Sequence, residues 1–124
     1  MALITLNEEN FNQTTADNEI VIIDFWAPWC GPCISFGPIF EKIAQNNPDI
    51  TFGKVNTEEE QGIGGHFQIR SIPTIMIFRD NVVIFQQAGV LPEAGFIDII
   101  GQIKALDMDV VRKEIEKQSS ETEN

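Results

Sequence analysis

The sequence predicts an α/β fold in which a mixed β-sheet lies between helices. Two apolar segments, 20–26 and 50–56, are typical of buried strands, and helical patterns separate them along the chain. Parallel strands require such crossovers. The segments 73–80 and 81–89 follow each other directly through Asp80-Asn81, which indicates an antiparallel hairpin. The order β-α-β-α-β-α-β-β-α therefore combines parallel strands with a terminal hairpin.

The first elements are a short strand, a capped helix and a central strand. Residues 2–6 are predicted to form the strand, and Asn7 to cap a helix over 7–15 with acids in its first turn. The run 20–26 shows no polar alternation, and Asp24 is its only polar residue. This pattern predicts a strand that is covered on both faces of the sheet.

The remaining helices follow from apolar spacing and from proline. A helix over about 31–46 is predicted because apolar side chains recur there at helical spacing, at Phe36, Ile39, Phe40 and Ile43. Residues 58–68 predict a short helix that three glycines weaken. Pro92 is predicted to begin the last main helix, where a missing amide hydrogen costs nothing.

Length, charge and the first residues exclude several classes of protein. The chain has 124 residues, 43% of them hydrophobic, which suits one globular domain. Eight basic and 19 acidic side chains give a formal net charge of −11, which argues against nucleic acid and anionic membranes as partners. No apolar run reaches the roughly 20 residues of a membrane span, and no secretory signal is apparent. We therefore expect a cytoplasmic protein, and we expect it to act as a monomer.

The only two cysteines of the chain, Cys30 and Cys33, lie three positions apart. A bridge between them closes a very small loop and adds little chain-entropy stabilisation. Tetrahedral zinc needs four ligands, and one CxxC with the distant His66 does not supply them, although a metal shared by two chains is an alternative. We expect no metal, and redox chemistry is the remaining interpretation of the pair.

The two cysteines are predicted to have different roles because they occupy different places at the start of a helix. Cys30 lies where the strand gives way to the helix, so the unpaired amides and the positive end of the helix dipole favour its thiolate. Cys33, one turn later, can attack a mixed disulfide and release the reduced substrate. The alternative for either cysteine is a small buried hydrophobic side chain.

Asp24 is the one acid in the apolar run. A carboxylate buried in a strand is costly unless it is paired or protonated, and burial raises its pKa. We interpret Asp24 as the base that takes the proton from Cys33, through a water molecule. The alternative is that Asp24 satisfies nearby backbone groups.

These residues resemble the thioredoxin family. The motif WAPWCGPC, the acid two positions before its first tryptophan, the later Ile72-Pro73-Thr74 and the glycine after the last strand carry the resemblance, which covers about residues 2–106. It implies the thioredoxin fold, a central mixed five-stranded β-sheet flanked by four α-helices. It also implies a protein-disulfide reductase whose Cys30–Cys33 dithiol serves electron transport and cell redox homeostasis.

The resemblance also assigns residues that support the two cysteines. Gly31 and Pro32 between them are similar to the dipeptide of reducing members of the fold, since oxidants and isomerases usually carry His before the second cysteine. Lys54 matches a lysine that modulates the buried acid, and Trp26 is expected to pack near that acid.

A substrate-binding surface around the cysteines is implied as well. Pro73 follows Ile72 through a bond that is cis in the family and faces the pair, although sequence alone favours trans. That orientation would leave the Ile72 backbone free to pair with an extended substrate segment. The implied surface comprises Trp29, Ile72, Pro73, Gly89 and Val90. Gly89 would let another backbone approach closely, and its alternative is an ordinary turn glycine.

No bound cofactor is implied, because the electrons reside in the two cysteines. The implied partners are disulfide-containing client proteins and an NADPH-dependent flavoprotein, thioredoxin reductase, so that NADPH is used indirectly. Two alternatives stay open. One is a dedicated thiol donor to a single client enzyme, and the other is a scaffold or binding subunit whose acidic carboxyl-terminal extension contacts a partner.

Two features depart from the family pattern. Ile34 stands where members usually carry Lys or Arg, which removes a positive charge near the thiols and adds apolar surface. Residues 107–124 form an acidic extension beyond a thioredoxin domain of residues 1–106. The extension is expected to be helical over 107–118 and disordered over 119–124.

Overall fold

The computed structural model describes the backbone of residues 3–123 and the side chains of residues 3–118. Its elements in chain order are β1 (Leu3–Thr5), α1 (Phe11–Asp17), β2 (Ile20–Trp26), α2 (Gly31–Asn46), β3 (Thr51–Asn56), α3 (Gln61–His66), β4 (Thr74–Arg79), β5 (Val82–Ala88), α4 (Glu93–Lys104) and α5 (Met108–Glu123). The predicted order is confirmed, with one helix added at its end. Ala2, the first residue of the predicted strand over 2–6, lies outside the described residues.

The five strands form one mixed sheet in the order β1-β3-β2-β4-β5. β3 pairs in parallel with both β1 and β2. β4 runs antiparallel to β2 and to β5, which places the hairpin at one edge. The hairpin turn has positive φ at Asp80 (51°) and Asn81 (65°), the backbone that a two-residue loop between twisted strands requires. The mixed sheet and its hairpin are confirmed.

Two hydrophobic cores cover the two faces of the sheet. β2 contributes Ile20 and Ile22 to the core under α2 and α4, and it contributes Val21, Ile23 and Phe25 to the core under α1 and α3. This double coverage explains why β2 lacks polar alternation. Because side chains alternate along a strand, Asp24 continues the row of Ile20 and Ile22 and faces α2. None of the helices in the described part of the chain is long and apolar enough to cross a membrane.

The first helix begins later than predicted. Asn7 Oδ1 accepts hydrogen bonds from the backbone N–H groups of Glu9 and Asn10, both at 2.9 Å, and Asn10 Oδ1 accepts from the Asn7 N–H at 2.8 Å. This reciprocal turn holds residues 7–10 outside the helix, so α1 starts at Phe11 and has no acid in its first turn. The prediction that Asn7 caps a helix over 7–15 is therefore wrong.

The expected number of four helices is corrected to five, because residues 108–123 form the complete helix α5. Asp107 Oδ1 accepts from the backbone N–H groups of Asp109 (3.0 Å) and Val110 (3.3 Å), which caps the start of the helix. Arg112 bridges Asp109 at 2.8 Å and Asp80 at 3.3 Å. Glu, Lys and Gln, which are good helix formers, predominate over 113–118, and the helix continues to Glu123. Disorder over 119–124 is therefore not observed up to Glu123, and Asn124 lies outside the described residues.

Arg79, at the end of β4, binds the chain that follows α4. Its Nη1 donates to the carbonyl oxygens of Ile103 (2.6 Å), Lys104 (3.3 Å) and Leu106 (2.8 Å). The last carbonyls of a helix have no partner within the helix, so this side chain satisfies groups that would otherwise need water. The end of α4 is thereby tied to the central sheet.

A chain that ends at Leu106 is expected to keep the fold and the disulfide-reducing rate. Met108 is the one residue of α5 that is buried among those whose side chains are described, whereas Val110 and Ile115 are exposed. We therefore expect a loss of about 1–2 kcal/mol in the free energy of unfolding, measured with urea.

Met108→Ala in the full chain is the matched control, and it should reproduce most of that loss. A shortened chain that precipitates or unfolds without cooperativity would contradict the expectation, because α5 would then belong to the core.

Candidate active site

The two cysteines lie where β2 passes into α2, as the sequence predicted. A tight turn follows β2, in which the Cys30 N–H donates to the Ala27 carbonyl at 3.1 Å. Cys30 is the N-cap of α2, in an extended conformation, and its Sγ accepts from the Cys33 backbone N–H at 3.2 Å. Gly31 and Pro32 form the exposed first positions of the helix. The Cα atoms of Cys30 and Cys33 are 5.2 Å apart, and the two sulfurs form a disulfide.

The disulfide is packed in a small apolar cluster of its own. Cys30 is 5% exposed and Cys33 is 2% exposed, and both contact the fully buried Ala27. Trp26 and Ile72 close the cluster from the sides. Cys30 Sγ lies 3.8 Å from the carbonyl oxygen of Ile72, so the chain before β4 reaches the reactive sulfur.

The segments before β4 and after β5 meet beside the disulfide. The Ile72-Pro73 peptide bond is cis, and the Gly89 N–H donates to the Pro73 carbonyl at 2.8 Å. Gly89 has φ of +97°, a conformation that residues with a Cβ rarely adopt, and no atom lies within 4 Å of the place that a Cβ would take. Val90, 43% exposed, follows on the surface. The positive φ of the turn accounts for a glycine at position 89. The missing side chain also leaves open space beside the Gly89 backbone.

Trp29 is the most exposed large hydrophobic side chain in the described part of the chain, at 67%. Its Nε1 donates to Glu58 Oε1, a contact that the sequence analysis missed. β2 and β3 are parallel neighbours, and the Thr57 N–H donates to the Trp26 carbonyl at 2.9 Å, so the residues that follow the two strands lie side by side. An acidic run, Glu58–Glu60, follows β3 after Thr57, but its contact with Trp29 depends on the pairing of β2 with β3.

Asp24 lies on the face of the sheet that α2 covers. It is 0% exposed, and neither carboxylate oxygen has a hydrogen-bond partner among the described residues. Burial raises the pKa of Asp24 from 3.8 to about 7, and the positive charge of Lys54 opposes this rise. The absence of a described partner argues against the alternative in which Asp24 satisfies backbone groups.

Lys54 connects the acid to the active-site helix. It is paired with Asp24 in the parallel register of β2 and β3, and its Nζ lies 4.6 Å from the centroid of the Trp26 ring. A Cβ placed on Gly37 would lie 3.9 Å from the same Nζ. Gly37 is one helical turn beyond Cys33, so the ammonium group lies against α2 about one turn from that cysteine.

The described residues contain no group of three or more His, Cys, Asp or Glu side chains that could hold a metal ion. The side chains predicted for the site otherwise fall into two sets. Ile72, Pro73 and Gly89 belong to the two segments that meet beside the disulfide, and Trp29 and Val90 are exposed on its borders. Trp26 packs against the disulfide cluster, and Lys54 lies over the Trp26 ring and beside Asp24 in the strand register.

A mixed sheet of this topology with a disulfide at the amino terminus of α2 defines a thiol–disulfide oxidoreductase. The family model named Thioredoxin matches residues 2–102. The chain therefore belongs to the thioredoxin family.

Individual relatives agree with the family model. A Streptomyces coelicolor relative, named as a thioredoxin 2, is 54% identical over 118 residues, which covers 95% of this chain and 88% of the relative. The thioredoxin of Mycoplasmoides gallisepticum is 40% identical over 87 residues and covers 70% of this chain and 87% of the relative. A mutant thioredoxin from Halobacterium salinarum superimposes with a TM-score of 0.78 at 27% identity, covering 85% of this chain and 93% of that structure.

Family membership and the Cys30–Cys33 disulfide make this chain a protein-disulfide reductase. Its redox-active group consists of the two cysteines, which alternate between dithiol and disulfide. The predicted fold and activity are thus confirmed.

Proposed function

We propose that Cys30 is the nucleophile and Cys33 the resolving thiol. The observation that carries this assignment is the bond from the Cys33 N–H to Cys30 Sγ, because the same N–H can stabilise a thiolate on Cys30 but not on Cys33. The Cys30 thiolate attacks one sulfur of a client disulfide, and the other client sulfur leaves as a thiolate and takes a proton from solvent. One S–S bond breaks and one mixed S–S bond forms.

Cys33 then completes the transfer. Its thiol loses a proton, and the resulting thiolate attacks Cys30 Sγ and forms the Cys30–Cys33 disulfide. The second client sulfur leaves as a thiolate and is protonated. The client gains two electrons and two protons, and the dithiol loses the same number.

Asp24 is the proton acceptor for Cys33 in this proposal, with a water molecule as relay. A base is most effective when its pKa is near the working pH, and burial places the pKa of Asp24 at about 7. Lys54, which is paired with Asp24 in the register of β2 and β3, stabilises the ionised carboxylate and so modulates this base.

The substrate surface is proposed to be the ring of side chains around the disulfide. An extended client segment would pair with the free backbone of Ile72 and pass over Gly89, where no side chain obstructs its approach. Trp29, Pro73 and Val90 would contact its side chains, and Trp26 would support the ring from below.

The reductant is proposed to be NADPH, delivered through a thioredoxin reductase, and the chain is proposed to act as a cytoplasmic monomer on several client proteins. Turbidity of reduced insulin, in the presence of NADPH and a bacterial thioredoxin reductase, tests this directly. We expect turbidity and NADPH oxidation with the wild-type chain, and neither with the double variant Cys30→Ser, Cys33→Ser. A wild-type chain that is inactive in this assay would contradict the proposal and favour the dedicated donor or the scaffold.

A further inference from the structure

Ile34 is an exposed apolar side chain in the first turn of the active-site helix. It directly follows Cys33, and its backbone N–H donates to the Cys30 carbonyl at 3.1 Å, which fixes its place beside the disulfide. The side chain is 60% exposed. Covering an exposed isoleucine with another apolar group is favourable, because apolar surface is removed from water.

Exposed apolar side chains are concentrated near the disulfide. Seven large hydrophobic side chains are exposed among the described residues, and three of them, Trp29, Ile34 and Val90, belong to segments that border the disulfide. They extend from the turn before α2, through its first turn, to the loop after β5. The reactive sulfur therefore lies within an apolar rim that Ile34 widens on the side of α2.

The charges around this rim are mostly negative. The segments 27–36 and 88–91 carry no charged side chain. The segments 57–60 and 70–73 carry three acids and one cation, Glu58–Glu60 and Arg70. Glu58 is held against Trp29 by the indole N–H, so its negative charge lies at the edge of the rim. The other nearby cation, Lys54, packs over Trp26 beneath the surface.

From this combination we propose that Ile34 and Glu58 set the choice of client. The surface favours disulfides flanked by an apolar residue and a basic residue, and it disfavours acidic flanks. This inference depends on the proposed reduction of client disulfides at Cys30. The apolar flank covers Ile34, and the basic flank meets the acidic edge beside Trp29.

Three synthetic peptides with the same disulfide ring test the inference. Their two flanking positions carry Leu and Lys, Ser and Lys, or Leu and Glu. Second-order rate constants are measured with the pre-reduced chain under single-turnover conditions. We expect the Leu/Lys peptide to react about tenfold faster than the Ser/Lys peptide, and roughly threefold faster than the Leu/Glu peptide. Added salt at about 0.5 M should abolish only the second difference, because it screens exposed charges.

With the Ile34→Lys variant, the Leu/Lys peptide should react only about threefold faster than the Ser/Lys peptide. The same variant should reduce the Leu/Glu peptide faster than the Leu/Lys peptide, which reverses the preference of the wild-type chain. With the Glu58→Gln variant, the rate ratio of the Leu/Lys to the Ser/Lys peptide should stay unchanged, and the ratio of the Leu/Lys to the Leu/Glu peptide should become smaller. Ile97→Lys is the matched control, because Ile97 is an isoleucine of similar exposure, 53%, on α4 beside Asn47 at the far end of α2. This control adds the same charge and should leave both preferences unchanged.

The outcomes separate this inference from the proposed function. A wild-type chain that reduces none of the peptides overturns the proposed function. A wild-type chain that reduces all three at equal rates overturns the inference alone. If Ile34→Lys changes all three rates by one common factor, the residue acts on the chemistry of the cysteines, and the inference on client choice is wrong.

Discussion

Cys33→Ser is expected to accumulate a stable mixed disulfide with a client protein, whereas Cys30→Ser is expected to trap almost none. The first variant keeps the nucleophile, which is held at the helix N-cap by the Cys33 backbone N–H, and that N–H survives the substitution. It lacks the thiol that would attack Cys30 Sγ, so the reaction stops after its first step. Non-reducing electrophoresis and intact mass of the adduct measure the outcome.

The double serine variant is the control, since it should form no adduct at all. Treatment with a reductant should release the trapped client from Cys33→Ser, which shows that the link is a disulfide. Equal trapping by the two single variants would contradict the assignment of roles, because it would mean that either sulfur can attack the client.

Asp24→Asn is expected to raise the stability of the fold and to lower the rate of the reaction. Asparagine keeps the shape of the side chain and removes a carboxylate that is fully buried without a described partner. We expect the free energy of unfolding at pH 8 to rise by about 1–3 kcal/mol. Resolution of the mixed disulfide near pH 7 should become roughly 10–100-fold slower, because hydroxide or water can replace the base only in part.

The stability effect should depend on pH with a definite sign. The Asp24 carboxyl ionises at its ordinary pKa of 3.8 in the unfolded chain and at about 7 in the folded chain. Folding therefore takes up a proton between these values, and the stability associated with protonated Asp24 is lost as the pH rises towards 7. Asparagine does not titrate, so the advantage of Asp24→Asn should be small near pH 4 and reach its full size above pH 7.

Urea unfolding at pH 4, 6 and 8 measures the stability, and stopped-flow tryptophan fluorescence during reduction of a protein disulfide measures the rate. Glu41→Gln removes one charge from an exposed position on α2 and serves as the control, with little change expected in either quantity. If Asp24→Asn lowers stability at every pH and leaves the rate untouched, Asp24 has a structural role and the proposed proton transfer is wrong.

The features that the sequence predicted best are local ones. Three features lie next to one another in the chain: the apolar run of β2, the turn after it and the two cysteines. The strand, the turn and the start of the helix can therefore be predicted from neighbouring residues. Asp24 could be predicted because an acid within a buried strand is costly wherever the strand lies. These local signals were enough to locate the disulfide and its buried acid.

The features that the sequence could not predict depend on pairing between distant or competing groups. Asparagine is a residue type that favours N-cap positions, so Asn7 and Asn10 both fit one by type, and the reciprocal turn between them decides that α1 begins at Phe11. The bond between Trp29 and Glu58 requires that β2 and β3 be parallel neighbours, which spacing alone does not determine. Residues 107–124 are mostly polar, and polar composition alone does not separate an exposed helix from a disordered segment.

The contact of Arg79 with the end of α4 has a consequence for local opening of the molecule. Because the guanidinium comes from the sheet, the last turn of α4 cannot fray without withdrawing the carbonyls of Ile103 and Lys104 from a largely buried cation. Fraying at this end therefore costs more than at a helix end capped by its own chain. Amide hydrogens in the last turn of α4 should exchange with solvent at the pace of those in β4, so the two form one cooperative unit.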